Sequence, residues 1–261
     1  MLNYPGLCAN TIADLLDRVR TNAPRVHVIT NTVAQSFTAN AVLAVGAVPS
    51  MTIAPEEAAQ FSASANALLV NLGTLDEGRK AAIPLAWRAA QDAGNPIVLD
   101  PVFINRSPVR LKFAEELVEH RPTIVRVNPA ELDALFGPKD GLLKLKEKGI
   151  AVALTGATDY IACPNQHFRL SNGHPVMSKV TATGCAGGAV LAAFLAVDED
   201  HCRAAAAGLS VFNIAGEIAG EATTGPGSFV PAFLDTLYTL TPEQVETRLK
   251  LGTISSQGRN R

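Results

Sequence analysis

The feature that most constrains this chain is a succession of short, unbroken apolar runs set between stretches of helical spacing. VHVIT (26–30), ALLVNLG (67–73), PIVLDPV (96–102), TIVRVN (123–128) and IAVALTG (150–156) carry apolar side chains at consecutive positions. A sheet with one wet face would show alternation instead, so these strands are buried on both faces. Between them lie QSFTANAVLAVG (35–46), PEEAAQFSASA (55–65), DEGRKAAIPLAWRAAQDAG (76–94), VRLKFAEELVEH (109–120) and PAELDALFG (129–137). These have helical spacing or a helix-start signal: Gly46 closes the first, and Pro55 and Pro129 open two others. Pro84 is expected to kink or divide the 76–94 helix. SMTI (50–53) reads as a further strand, DYIACP (159–164) as a late one, and HFRLSNGHPVMSKV (167–180) as a hairpin turning at Asn172-Gly173. Beyond that the pattern is helical, over 185–197, 201–222, 228–238 and 242–250.

Strands buried on both faces and joined by helices call for a mostly parallel sheet covered on each side. The expected fold class is therefore α/β, with a late antiparallel edge and a helical C-terminal third. No Pro/Ser/Gly tract divides the sequence and no repeat is visible, so 1–261 reads as one domain.

Composition narrows the function classes. Hydrophobic residues make up 48% of the chain, charged ones 18%, and the net charge is -2. Nothing here attracts nucleic acid or an anionic membrane electrostatically. No apolar run approaches the roughly 20 residues of a bilayer span, and the N-terminus lacks the basic-then-apolar pattern of a signal peptide. Cys8, Cys163, Cys185 and Cys202 form no C-x-x-C pair and have no zinc-type spacing with the histidines. The expectation is a soluble cytoplasmic protein with free thiols, of which Cys8, Cys163 and Cys202 are structural.

In parallel sheets ligands bind beyond the carboxyl ends of the strands. That selects Thr30-Asn31, Met51, Asn71 to Gly73, Asp100, Arg126 to Asn128, Thr155-Gly156 and 181–185. In TATGCAGGAVLAAF (181–194), small residues run into an apolar helix expected to begin near Cys185. First-turn N–H groups, the helix dipole and a close approach at Gly184 would make an anion hole for a phosphoryl group in transfer. Spacing alone equally allows a tight loop packed beneath a helix. Cys185 is either a buried small hydrophobe or, at a helix N-terminus, a thiol of lowered pKa that serves as base or ligand contact. Asp100 either holds Mg²⁺ through water or caps the turn before Pro101. Arg126, Asn128 and Glu131 share one strand-to-helix turn. Arg126 suits phosphate, and Glu131 either reaches metal-bound water or is an ordinary first-turn acid. Thr155-Gly156 binds nucleotide or makes a turn. P-loop, G-x-G-x-x-G, G-x-S-x-G and H-E-x-x-H motifs are absent from the sequence.

Taken in order, VHVITNTVAQSFTANAVLAVGAVPSMTIAPEEA, ALLVNLGTL, VLDPV, RVNPAEL, VTATGC and GPGSF resemble the hydroxyethylthiazole kinase family, ribokinase-like enzymes of thiamine salvage. The resemblance runs from about Leu15 to about Leu240. Most ribokinase-like relatives have Asp where this chain has Cys185. The resemblance implies a ribokinase-like three-layer α/β/α fold and ATP-dependent, Mg²⁺-assisted phosphorylation of the hydroxyl of 4-methyl-5-(2-hydroxyethyl)thiazole. It also implies a homotrimer with active sites at subunit interfaces.

Position by position, the resemblance puts Asn31, Met51, Gly73 and Ala182 at the thiazole. Arg126, Asn128 and Thr155 fall at the nucleotide, and Asp100 and Glu131 near Mg²⁺. Thr183, Gly184 and Cys185 fall at the anion hole, with Cys185 catalytic. Three departures stand out: Ala182 replaces the family's usual Gly, FINRS (103–107) a Gly-Ala-Gly-Ala-Thr stretch, and Val127 a Gly between Arg and Asn. They add bulk, and at 103–107 a cation, near the expected phosphate channel. Two other readings compete: a different ribokinase-like kinase, such as a hydroxymethylpyrimidine kinase, or a non-catalytic thiazole- or nucleotide-binding protein.

Overall fold

The computed structural model describes residues 7–137 and 141–252. Helices and strands alternate through the first half: α1 (Ala9–Asn22), β1 (Arg25–Ile29), α2 (Gln35–Val45), β2 (Val48–Ser50), α3 (Pro55–Ser64), β3 (Ala67–Asn71), α4 (Glu77–Asp92) and β4 (Ile97–Asp100). Then come α5 (Pro108–Glu119), β5 (Ile124–Val127), α6 (Pro129–Phe136), α7 (Gly141–Glu147), β6 (Ala151–Leu154), β7 (Asp159–Ala162) and β8 (His167–Leu170). Helices α8 (Thr183–Leu195), α9 (His201–Ala222), α10 (Pro226–Thr239) and α11 (Pro242–Arg248) follow, and a short β9 (Leu251–Gly252) returns to the sheet.

The strand order is β2-β1-β3-β4-β5-β6-β7-β8-β9. Every pairing from β2 through β6 is parallel, and those from β6 to β9 are antiparallel. All of β3 and β4 is buried, as runs without alternation require. Alternate residues feed two cores. Val28, Leu69, Val98 and Ile124 pack with α1, α2, α8, α9 and α10, while Ile29, Leu68, Val70, Leu99 and Val125 pack with α4, α5 and α6. The result is three layers, α/β/α, with the carboxyl ends of β1, β3, β4, β5 and β6 side by side.

The sequence misplaces several details. The 50–53 strand is instead Val48–Ser50, with Met51 in the loop beyond it. α4 runs undivided through Pro84. No hairpin turns at Asn172-Gly173: after β8 the chain enters a 3-10 turn at Pro175–Lys179, because Pro175 has no N–H for a returning ladder. The reversal lies at 163–166, where the Cys163 N–H donates to the Gln166 carbonyl at 2.9 Å. α8 begins at Thr183, two residues earlier than expected.

Cys163 and Cys202 are joined in a disulfide that ties the turn after β7 to the start of α9. The expectation of four free thiols is therefore wrong at two positions. Spacing rules detect local pairs, and these residues are 39 apart in sequence. Cys8 and Cys185 are free. Among the described residues no helix is long and apolar enough to cross a membrane.

Candidate active site

A cavity of about 440 Å³ opens where the carboxyl ends of the parallel strands meet the start of α8. Asn31, Gly73, Cys185 and Ala182 line it, as do Asp100, Arg126, Asn128, Glu131, Thr155 and Gly184. A second cavity of about 540 Å³ adjoins it and shares Arg126, Thr155 and Gly184. Thr183 lines this second cavity. Met51 reaches neither: it is half-buried and packs against the core on the α8 side of the sheet.

The small residues of 183–188 let α8 lie against the strand ends. A Cβ on Gly188 would sit 3.4 Å from Leu69 and 3.6 Å from the Asp100 carboxylate, and one on Gly184 would sit 3.5 Å from the Arg126 guanidinium. Ala182, the N-cap, has φ 70° and ψ -5° and makes no side-chain cap. The first-turn N–H groups of Thr183, Gly184 and Cys185 have no partners within an α-helix, and no N-cap side chain covers them. This left-handed backbone is one that glycine adopts without steric cost and alanine does not.

Cys185 is buried, and its sulfur accepts from the side-chain amides of Asn31 at 3.1 Å and Asn71 at 3.3 Å. Burial, reinforced by the Asp100 charge, pushes its pKa up to about 11 against the pull of Arg126. Of the two readings open from the sequence, the buried one fits and the lowered pKa does not: desolvation is the largest cause, and the group is a thiol at neutral pH. The Asn31 loop is itself anchored. Arg79 is almost fully buried, and its Nε donates to the Thr30 carbonyl at 2.9 Å while Asp76 pairs with its guanidinium. Gly73 is required by this packing, since a Cβ there would lie 2.6 Å from Asn31 Cβ.

Asp100 ends β4 in register with Asn71 of β3. Its Oδ2 accepts from Asn71 Nδ2 at 2.8 Å and lies 3.6 Å from Arg126 Nη1. Its Oδ1 is buried without a partner. Burial raises the pKa to about 6, with Arg126 opposing and Glu131 assisting. Glu131 spends both oxygens on backbone: Oε1 accepts from the Phe103 N–H and Oε2 from the Asn128 N–H, each at 3.0 Å. Asn128 Oδ1 accepts from the Glu131 N–H in return, completing a capping box at α6. Thr155 is held by its N–H to the Val127 carbonyl at 2.8 Å.

The departures from the family pattern fall unevenly. Val127 points into the core and adds no bulk to the cavity. Phe103 lines the mouth with φ 58° and, like Thr74 and Ala182 at the same cavity, is a left-handed non-glycine residue. The cation beside the cavity is Arg110, not Arg106. Asn71 joins Cys185 to Asp100; the strand-end rule selects its position, but the sequence assigns it no role. The available signal was a polar residue closing an apolar strand in register with another.

A family model for the hydroxyethylthiazole kinase family matches residues 16–149 and 142–243. A probable hydroxyethylthiazole kinase of Agrobacterium fabrum is 44% identical over 233 residues, covering 89% of this chain and 91% of that protein. The structure of a hydroxyethylthiazole kinase from Pyrococcus horikoshii OT3 superposes with a TM-score of 0.88 at 36% identity, covering 94% and 99% of the two chains. A ribokinase-like superfamily protein of Enterococcus faecalis V583 superposes with a TM-score of 0.66 at 14% identity over 93% of this chain and 99% of its own, a likeness of fold alone. Family model and relatives agree, and this chain belongs to the hydroxyethylthiazole kinase family.

Proposed function

We propose that the chain transfers the γ-phosphoryl group of ATP to the hydroxyl of 4-methyl-5-(2-hydroxyethyl)thiazole, giving the thiazole phosphate and ADP. The carrying observation is the uncapped N-terminus of α8 opening beside Arg126, Asp100 and Cys185 around one cavity. The alcohol would occupy the 440 Å³ cavity and the nucleotide the 540 Å³ one, meeting at the wall formed by Arg126, Thr155 and Gly184. Phosphoryl transfer rests mainly on positioning and charge stabilisation. In this reading the N–H groups of 183–185 and the Arg126 guanidinium hold the transferring oxygens.

Asn31 Oδ1 is buried without a partner and would accept the substrate's O–H. Cys185, as a thiol, orients the alcohol oxygen and is not a resident base. Mg²⁺, when bound, would neutralise phosphate charge. Asp100 Oδ1 is the donor that fits it, and Glu131 would act only through water, its oxygens being engaged. Among the described residues no three-ligand cage exists, but Mg²⁺ on phosphates needs only one or two carboxylates.

The protein would work as a single kinase domain in the cytoplasm, where ATP is. The assembly would be a homotrimer; Met51, outside both cavities of one chain, would then meet the thiazole across a subunit boundary. The decisive experiment measures ADP release with and without the thiazole alcohol and identifies the product by mass spectrometry. Alcohol-dependent release of ADP with one thiazole phosphate per ADP is expected. ADP released equally without the alcohol, or no thiazole phosphate, would overturn the reading.

A further inference from the structure

Asn71 closes β3, is fully buried, and makes four contacts with one amide. Its Oδ1 accepts from the Gly73 backbone N–H at 3.0 Å and from Asn31 Nδ2 at 3.4 Å. Its Nδ2 donates to Asp100 Oδ2 at 2.8 Å and to Cys185 Sγ at 3.3 Å. The amide orientation is forced from both ends. A backbone N–H can only donate, so Oδ1 must face Gly73, and a carboxylate can only accept, so Nδ2 must face Asp100. Both amide hydrogens are thereby committed, one to each of the two groups that face the cavity.

The consequences are specific. Cys185 receives N–H groups from Asn71 and Asn31, so its sulfur is held as an acceptor from two sides at the cavity wall. Asp100 has Oδ2 occupied by Asn71 and Arg126, which leaves Oδ1 as its open oxygen. We propose that Asn71 is a positioning residue that holds the Cys185 thiol and the Asp100 carboxylate in one register, so that both face the same alcohol and phosphate. This rests on the roles given above to Cys185 and Asp100.

The test uses Asn71→Ala and Asn71→Asp in the full chain, with Cys185→Ala as reference. Asn71→Asp keeps the shape and the acceptor for Gly73 but turns the amide donor into a second carboxylate facing Asp100, so it removes donation without opening a cavity and sets like charges against each other. Both Asn71 variants are expected to lose about 10- to 100-fold in kcat, as supporting partners of active-site ligands do. KM for the alcohol and for ATP should change by less than about threefold. Iodoacetamide modification of Cys185 at fixed pH, read by mass spectrometry, is expected to slow several-fold in Asn71→Asp, since the sulfur loses a donor that favours the thiolate and gains a carboxylate neighbour. Wild-type kcat in Asn71→Asp, or a Cys185 modification rate not slowed in that variant, would overturn the role given to Asn71. Full activity in Cys185→Ala with Asn71→Asp still impaired would overturn the role of Cys185 and leave the hold on Asp100 standing.

Discussion

Ala182→Gly tests how much strain the chain carries at the mouth of its candidate site. With φ 70° and ψ -5°, Ala182 sits in the left-handed region, where a Cβ crowds the next carbonyl at about 1–2 kcal/mol. Glycine relieves that crowding but frees the unfolded chain by about 0.4–1 kcal/mol. No compensating contact is lost, because Ala182 makes no side-chain cap to α8. The difference is a gain of about 0.5–1 kcal/mol, or about 1–4 °C in Tm for a chain of this size. Urea unfolding followed by fluorescence of Trp87, the sole tryptophan and a buried one, reads this directly. The midpoint should rise with m unchanged. The methyl lines the cavity, so its removal should leave kcat/KM for the alcohol no lower than in the wild type. A lower midpoint at unchanged m would refute the strain argument.

Two other perturbations follow from the sulfur chemistry. Alkylation of Cys185 should climb with pH toward a midpoint near 11, so that at pH 8 its thiolate is about 100-fold scarcer than that of a thiol with the usual value near 9. Exposed Cys8, its pKa lowered chiefly by a hydrogen bond with the Thr11 side chain, should react first; a Cys185 midpoint at or below 8.5 would restore a resident thiolate. The Cys163–Cys202 bond closes a loop of 39 residues and should contribute about 3–4 kcal/mol. Thiol counting after denaturation without reductant should find two free thiols, and the Cys163→Ser/Cys202→Ala pair should show a lower urea midpoint; four thiols would mean that the bond is not formed.

What the sequence makes legible is what local pattern determines. The apolar runs of β3 and β4 announce their burial, Gly46 closes α2 at φ 102°, and Asp100 stands at a strand end where parallel sheets collect ligands. Three of the misses share one cause, which is that distant parts of the chain decide them. The Cys163–Cys202 bond joins β7 to α9. The surroundings of Cys185 are Asn31 and Asn71, more than 100 residues away in sequence. Met51 lies off the cavity because the loop after β2 packs along the core and does not turn toward the strand ends. The stripe Ile12, Leu15, Leu16 and Val19 does have helical spacing and is buried in α1. That helix was within reach of periodicity.

The raised pKa of Cys185 bears on how the site can work at all. A helix N-terminus favours an anion by about 0.3–1 kcal/mol at an exposed site and up to about 2 in a favourable one. Burial here opposes it and wins, and the neighbouring Asp100 adds to the opposition. Were the thiolate to prevail, it would place a negative charge at the start of α8, competing with a phosphoryl group for the N–H groups of 183–185 and repelling it. A neutral thiol leaves the positive end of the helix and the Arg126 guanidinium free for the phosphate. The environment that makes Cys185 a poor base would therefore also keep the proposed anion hole open. An Asp at this position would carry its own charge there and would need a different balance of cations around it.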